Sequence, residues 1–256
     1  MIVDLKRVTL FTIYVPWDKS EIAAEDFQDG EKEKSLDNGL EDTIRALHTC
    51  MESADFGAVK FVTSEKVIEE RGEELLKDGI VCEAPSIPVK NMKDYARHMI
   101  YHTYEHVDTE FVLTIQHDGF IINPLGWRDE FFDYDYIGAP WPWREQGFVT
   151  PFGEHIAVGN GGFSLRSKKL IELPSKVDVP FDVVAKNDFY KMFGAVNWNE
   201  DGNICVHNRH IFEEHGCKFA PVDVAKYFSH ESPLDINRGI IPFGYHGNLP
   251  YGVTVE

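Results

Sequence analysis

The feature that most restricts the fold is an alternation of short apolar runs with amphipathic segments over the first 115 residues. Residues 8–15 (VTLFTIYV) are rich in β-branched and aromatic side chains, the composition of a buried strand. Residues 40–54 place Leu40, Ile44, Leu47 and Met51 at helical spacing. Residues 57–62 (GAVKFV) predict a second strand, residues 64–77 a second amphipathic helix, and Ile80-Val81 a third strand. Residues 90–106 read as a helix with Met92, Tyr95 and Met99 on its apolar face, and residues 111–115 (FVLTI) as a strand. The acidic stretch 18–39 reads as a surface excursion. This order predicts an open, mostly parallel α/β sheet. Such sheets bind ligands beyond the carboxyl ends of their strands. Tyr14, Thr63 and the run Gln116 to Gly119 therefore matter most.

Beyond residue 120 prolines, glycines and aromatics take over, as in Gly138, Pro140, Trp141, Pro142 and Trp143. Short strands and loops fit this half better than regular βα units. No linker and no repeat interrupts the chain, so residues 1–256 read as one domain, with a regular half (1–119) and an irregular half (120–256). The 25 Lys+Arg against 43 Asp+Glu give a formal charge of −18. That balance argues against nucleic acid and anionic membranes as partners. A phosphate ligand would need local help from a metal, a helix N-terminus or a few placed cations. No apolar run approaches membrane-spanning length, and the N-terminus lacks the pattern of a signal peptide. Four cysteines without a CxxC pair suit a reducing compartment, and a cytoplasmic location is expected.

Four stretches carry residue types suited to chemistry. In TIQHDGF (114–120) an apolar strand ends in Gln116, His117 and Asp118, and a carboxylate there is well placed to hold Mg²⁺ or Mn²⁺. In VGNGGFSLRS (158–167) Gly159, Gly161 and Gly162 permit a tight bend or close approach to a ligand. In NWNEDGNIC (197–205) the adjacent Glu200 and Asp201 supply a general base and a second carboxylate, or a helix cap. In PFGYHGN (242–248) His246 sits in a turn, with Asp118 its obvious partner in metal binding.

Taken in order, TIQHDGF, FDYDYIGAPWPW, VGNGGFSLRS, NEDGNICVHNR and PFGYHG resemble the DUF5672 family, of the GT-A-fold glycosyltransferase kind. The resemblance implies a single GT-A-like domain that holds a nucleotide-sugar on its sheet, often through a divalent metal. Residues 1–119 would then bind the nucleotide, and residues 120–256 the acceptor and catalytic groups. The D-x-D-like metal motif falls on Gln116-His117-Asp118, without its first Asp. Asp118 and His246 are thereby implied as ligands of Mn²⁺ or Mg²⁺, with Gln116 toward the ribose or a metal-bound water. Gly161 and Gly162 would line the donor sugar and acceptor. Asp201 would be the base of an inverting transfer, and Glu200 would hold the acceptor, with the reverse assignment open. Thr12, Tyr14 and Thr63 stand where such folds hold the base and ribose. Trp141 is either core or a stacking platform for a sugar ring.

Two decoys are set aside. Asp133-Tyr134-Asp135 is a literal D-x-D, but it does not leave a buried strand. Cys205, His207, His210, His215 and Cys217 do not match zinc spacing. Arg166 reads as a solvated cation near a helix start, or as a phosphate contact. The expected activity is transfer of a sugar from a nucleotide-diphosphate-sugar, UDP-linked by fold analogy, to a hydroxyl of a glycan or other acceptor, as in polysaccharide biosynthesis. Two alternatives are a non-catalytic sugar- or nucleotide-binding module and a metal-dependent hydrolase of phosphate or sugar esters.

Overall fold

The computed structural model describes residues 2–16, 39–142, 148–182 and 199–247. Its first part runs β1 (Val3–Ile13), α1 (Gly39–Ser53), β2 (Ala54–Val62), α2 (Glu65–Lys77), β3 (Val81–Glu83), α3 (Met92–Tyr101) and β4 (Phe111–Ile115). These four strands are parallel, in the order β3-β2-β1-β4. The expected excursion at 18–39 lies almost wholly outside the described residues. Two strands start earlier than the composition suggests, β1 at Val3 and β2 at Ala54. A register shift between Leu5 and Thr9 breaks the β1–β2 ladder there, and the alternation with it.

Capping explains the helix starts. Ser64 Oγ accepts from Val67 N at 3.3 Å to open α2, and Asn91 Oδ1 accepts from Asp94 N at 2.8 Å to open α3. The helix expected over 90–106 divides, with α3 followed by a 3₁₀ turn, Thr103–His106.

The second part is irregular, as expected. It contains β5 (Gly119–Ile121), β6 (Tyr136–Ile137), β7 (Ala139–Pro140), β8 (Phe148–Val149), β9 (His155–Ile156), β10 (Val158–Gly159), β11 (Phe163–Ser167) and α4 (Lys168–Glu172). A short helical turn (Glu200–Gly202) then passes into a π-helix (Asn203–His207), followed by α5 (Arg209–Glu214), α6 (Val222–Phe228), β12 (Ser229–His230) and β13 (Gly244–His246). Strand β11 joins the main sheet antiparallel to β4, and β6 follows, giving β3-β2-β1-β4-β11-β6. Small sheets β12-β13-β5, β7-β10 and β8-β9 complete the described part. The result is a mostly parallel α/β fold, as the strand and helix order predicts.

Alternation along the central strands builds a core on each face. Val8, Leu10 and Leu113 pack with Leu47, Phe61 and Phe163 on one side. Phe11 and Val112 pack with Met99, Ile204 and Phe212 on the other. Two strand pairings bring distant segments to the carboxyl end of β4. Phe163 lies opposite Ile115, so the glycine segment before β11 arrives there. His246 lies opposite Gly119, which brings the C-terminal turn to the same place. Among the described residues no helix is long and apolar enough to cross a membrane.

Under this sheet end lies a stack of three histidines. The ring of His98 is wholly buried, with centroids of His102 and His106 at 5.7 and 5.3 Å. His102 meets Glu105 at 2.8 Å, and His106 meets Glu83, itself paired with Lys60, at 2.5 Å. Neither nitrogen of His98 has a hydrogen-bond partner among the described residues. Burial first, and then the neighbouring rings, push its pKa down to about 3. The folded protein thus binds fewer protons than the unfolded chain below pH about 6.5, and stability falls as pH drops from there toward 3. We predict that His98→Phe flattens this acid-side loss in melting temperature measured from pH 4 to 7.5. An unchanged slope would contradict the assignment.

Candidate functional site

The site is built on the turn between β10 and β11. Asn160 takes the left-handed conformation, φ 73°, which Asn tolerates better than other side-chain-bearing residues. Its side chain is 1% exposed, and Oδ1 accepts from Gly162 N at 2.8 Å and Phe163 N at 3.2 Å. Its carbonyl accepts from Tyr136 OH at 2.9 Å. The turn is therefore fixed on three sides.

Two groups of side chains lean on this turn. On one side, Asp201 Oδ2 accepts from Gly161 N at 3.1 Å, and Oδ1 accepts from Gly202 N at 2.7 Å. A Cβ on Gly161 would stand 1.7 Å from Glu200 Oε1, so the absent side chain is the space that Glu200 occupies. On the other side, a Cβ on Gly162 would stand 2.1 Å from His246 Nε2. The glycines expected to line the sugar thus serve first to admit Glu200 and His246.

Glu200 is 5% exposed and accepts from Arg166 Nη2 at 3.2 Å, while Arg166 Nε donates to Ser164 Oγ at 3.0 Å. Arg166 is wholly buried, which corrects its reading as a solvated cation. Little of Glu200 is left to hold an acceptor, because its carboxylate is the counter-charge of that buried guanidinium. Asp201 remains partly exposed. Burial, then the charges of Glu200 and Glu231, push its pKa up to about 7, against the pull of the two backbone N–H groups. The adjoining π-helix, closed by Asn208 N on Asn203 O at 2.9 Å, is a wider turn of a kind frequent at functional sites.

Beyond the end of β4, Asp118, His246 and Gln116 converge. His246 Nε2 lies 3.2 Å from Asp118 Oδ1 and 3.1 Å from Gln116 Oε1. His246 Nδ1 faces Asn160 Nδ2 at 3.1 Å and Glu231 Oε1 at 3.6 Å. Burial works to raise the Asp118 pKa, yet His246 and, more weakly, His117 bring it down to about 2. Burial opposes charge on His246, yet Asp118 and Glu231 hold its pKa up to about 10. Asp118 Oδ1 is itself buried without a properly aligned hydrogen bond. A buried oxygen lacking such a partner, beside an imidazole nitrogen from which a cation would displace the proton, is a donor set of the kind Mn²⁺ or Mg²⁺ accepts. Neighbouring ligands of an octahedral ion of that size lie about 3.0 Å apart, close to the spacings here. The residues fit the cation that the resemblance implies.

The remaining expected residues separate. Tyr14 is half-buried at the end of β1. Thr12 is turned inward, 2% exposed, and donates to Ile115 O at 2.8 Å. Thr63 is wholly buried. Thr12 lies within β1 and Thr63 directly follows β2, and both are buried rather than open to a ligand, which corrects their placement there. Trp141 is 4% exposed and packs on Gly159, so it belongs to the core rather than to a stacking platform. Trp143, its suggested companion, lies outside the described residues. The decoy carboxylate Asp135 accepts from Ser167 Oγ at 2.5 Å and Lys218 N at 2.8 Å, a structural cross-tie. Among the described residues no group of three His, Cys, Asp or Glu is arranged to hold a metal. Asn160, Arg166, Glu231 and Tyr95 carry parts of the site that the sequence did not reveal. Of these only Asn160, a turn former between glycines, left a signal there.

A family model described as "Protein of unknown function (DUF5672)" matches residues 81–246. No curated protein matches the sequence significantly. Among solved structures, mouse xyloside xylosyltransferase 1 in its apo form is similar with a TM-score of 0.46 and 11% identity, over 96% of this chain and 98% of that one. A 4-diphosphocytidyl-2C-methyl-D-erythritol synthase from Anaerococcus prevotii gives 0.34 and 13%, over 73% and 82%. HddC from Yersinia pseudotuberculosis gives 0.32 and 12%, over 64% and 78%. None of the three superposes closely enough to speak to activity.

The packing of Glu200 against the turn yields a stability test. Gly161→Ala must displace Glu200 from Arg166 and leave the guanidinium without its counter-charge. We expect a loss of about 3 kcal/mol or more in chemical denaturation. Wild-type stability in that variant would show that the turn is not tightly packed.

Proposed function

The chain belongs to the DUF5672 family, and we propose that it transfers a sugar, with inversion, from a nucleotide-diphosphate-sugar to a hydroxyl of a glycan or other acceptor. One observation carries this reading. A carboxylate with a pKa near 7 and a cation-type donor set lean on neighbouring residues of a single fixed turn, Asp201 on Gly161 and His246 against Gly162. Glycosyl transfer needs both kinds of group, one at the acceptor proton and one at the leaving diphosphate.

In the displacement the acceptor oxygen bonds to the anomeric carbon while the bond from that carbon to the diphosphate oxygen breaks. The acceptor proton passes to Asp201. The two backbone N–H groups hold the Asp201 oxygens in place, and its raised pKa makes it a stronger base than an ordinary carboxylate. Glu200 contributes by its charge next to Asp201 rather than by contact with the acceptor. Asp118 and His246 would hold Mn²⁺ or Mg²⁺, which supplies positive charge to the leaving diphosphate. That supply matters in a chain of net charge −18. Tyr14, half-buried just past the end of β1, is the expected residue proposed to meet the nucleotide. A UDP-sugar is the donor favoured by fold analogy, with residues 1–119 as the donor half and residues 120–256 as the acceptor half. Four free cysteines agree with the proposed cytoplasmic setting.

Two outcomes test the base. Asp201→Asn should lose transfer by about 10²-fold or more while still binding donor. In the wild type, kcat/KM should fall as pH drops through about 7, where Asp201 takes up its proton. The raised pKa also makes the ionised carboxylate destabilising. The melting temperature of Asp201→Asn should therefore gain on wild type as pH rises from 5 to 8. Full transfer by a folded Asp201→Asn protein would sink the assignment.

A further inference from the structure

We infer that Gln116 is a cation donor in its own right. Its amide oxygen joins Asp118 Oδ1 and His246 Nε2 in a site of single negative charge, and Tyr95 sets the direction of that amide. This inference rests on the proposed role of Asp118 and His246 in facing a divalent cation. The geometry begins at Tyr95 on α3, 8% exposed, whose hydroxyl accepts from Gln116 Nε2 at 2.9 Å. With its nitrogen held there, the amide turns Oε1 toward His246 Nε2, 3.1 Å away. The Gln116 backbone is fixed as well, its N donating to Gly162 O at 2.9 Å. The same His246 nitrogen stands 3.2 Å from the buried Asp118 Oδ1, which lacks an aligned hydrogen bond. Two oxygens thus lie within 3.2 Å of one imidazole nitrogen at the carboxyl end of β4. No third acidic, histidine or cysteine side chain among the described residues joins them in a metal-holding group. A neutral amide is the third donor in place of a carboxylate.

The consequence is chemical. Once His246 gives up its proton to make way for the cation, one carboxylate and two neutral donors hold a free divalent ion weakly, since ligand charge sets much of the affinity for hard cations. Such a site is completed by substrate phosphates, as Mg²⁺ sites with one or two carboxylates commonly are. The cation is then retained mainly with the diphosphate and released with it.

The test is a titration of the full-length protein with Mn²⁺ alone, with free Mn²⁺ read by electron paramagnetic resonance and folding checked by thermal melting. Wild type should bind weakly, and Gln116→Leu should bind about tenfold more weakly. Tyr95→Phe, which leaves the donor but frees the amide, should lose about tenfold. Gln116→Glu keeps the shape and adds a charge, so it should bind about tenfold more tightly. That gain cannot arise from misfolding, and it decides the matter should Gln116→Leu fail to fold. If Asp118→Ala abolishes binding while the Gln116 and Tyr95 variants match wild type, Gln116 is no donor and the Asp118–His246 site stands. If wild type binds no Mn²⁺, or Asp118→Ala binds as wild type does, the cation site and this inference fall together.

Discussion

A side chain at position 161 or 162 would have to displace Glu200 or His246, which already fill the space where a Cβ would project. That exclusion brings a carboxylate pair and an imidazole from distant parts of the chain to adjacent residues of one turn. The turn can serve this way only because Asn160 accepts a left-handed backbone and spends its side chain on two N–H groups of the same turn. Its position is set by the sheet. The antiparallel strand β11 starts where the parallel strand β4 ends, so the turn lands where a parallel sheet presents its ligand.

Charge is arranged around that turn with the same economy. Arg166 is wholly buried, and such a cation is tolerable only with a paired anion. Glu200 is that anion, and its proximity, with that of Glu231, is part of why Asp201 resists ionisation. Two neighbouring carboxylates thereby take different tasks. One is fixed as a counter-ion, and the other has its pKa raised to about 7, as the proposed base requires. On the far side of the turn a single carboxylate, Asp118, is surrounded by His246, His117 and Gln116.

Much of this was legible in the sequence where a local pattern decides the outcome. Strand β4, the helices beginning near residues 64 and 90, and the change to irregular structure after residue 120 follow from periodicity and composition. The pairing of Asp118 with His246 was expected from the motifs, whereas the contact of Asp201 with the glycine turn was not. What remained hidden depends on which way a side chain points. Thr12 sits near a strand end, as expected, but faces inward, because a one-residue step along a strand exchanges the two faces, and Thr63 is buried just past the end of β2. Trp141 packs over Gly159 in the core, an orientation that residue spacing alone does not show. Arg166 and Glu231 act through partners 34 and 15 residues away in the chain, at separations that no local pattern encodes.

The central claim is that this sheet end receives a nucleotide diphosphate through a cation. It is tested most directly by melting the protein with nucleoside diphosphates and nucleotide-sugars, each with Mn²⁺ and with EDTA. A ligand that binds only the folded state raises the melting temperature by mass action. The account predicts a rise with one nucleotide class, larger in Mn²⁺ than in EDTA and lost in Asp118→Ala. No rise with any nucleotide in either condition would contradict it.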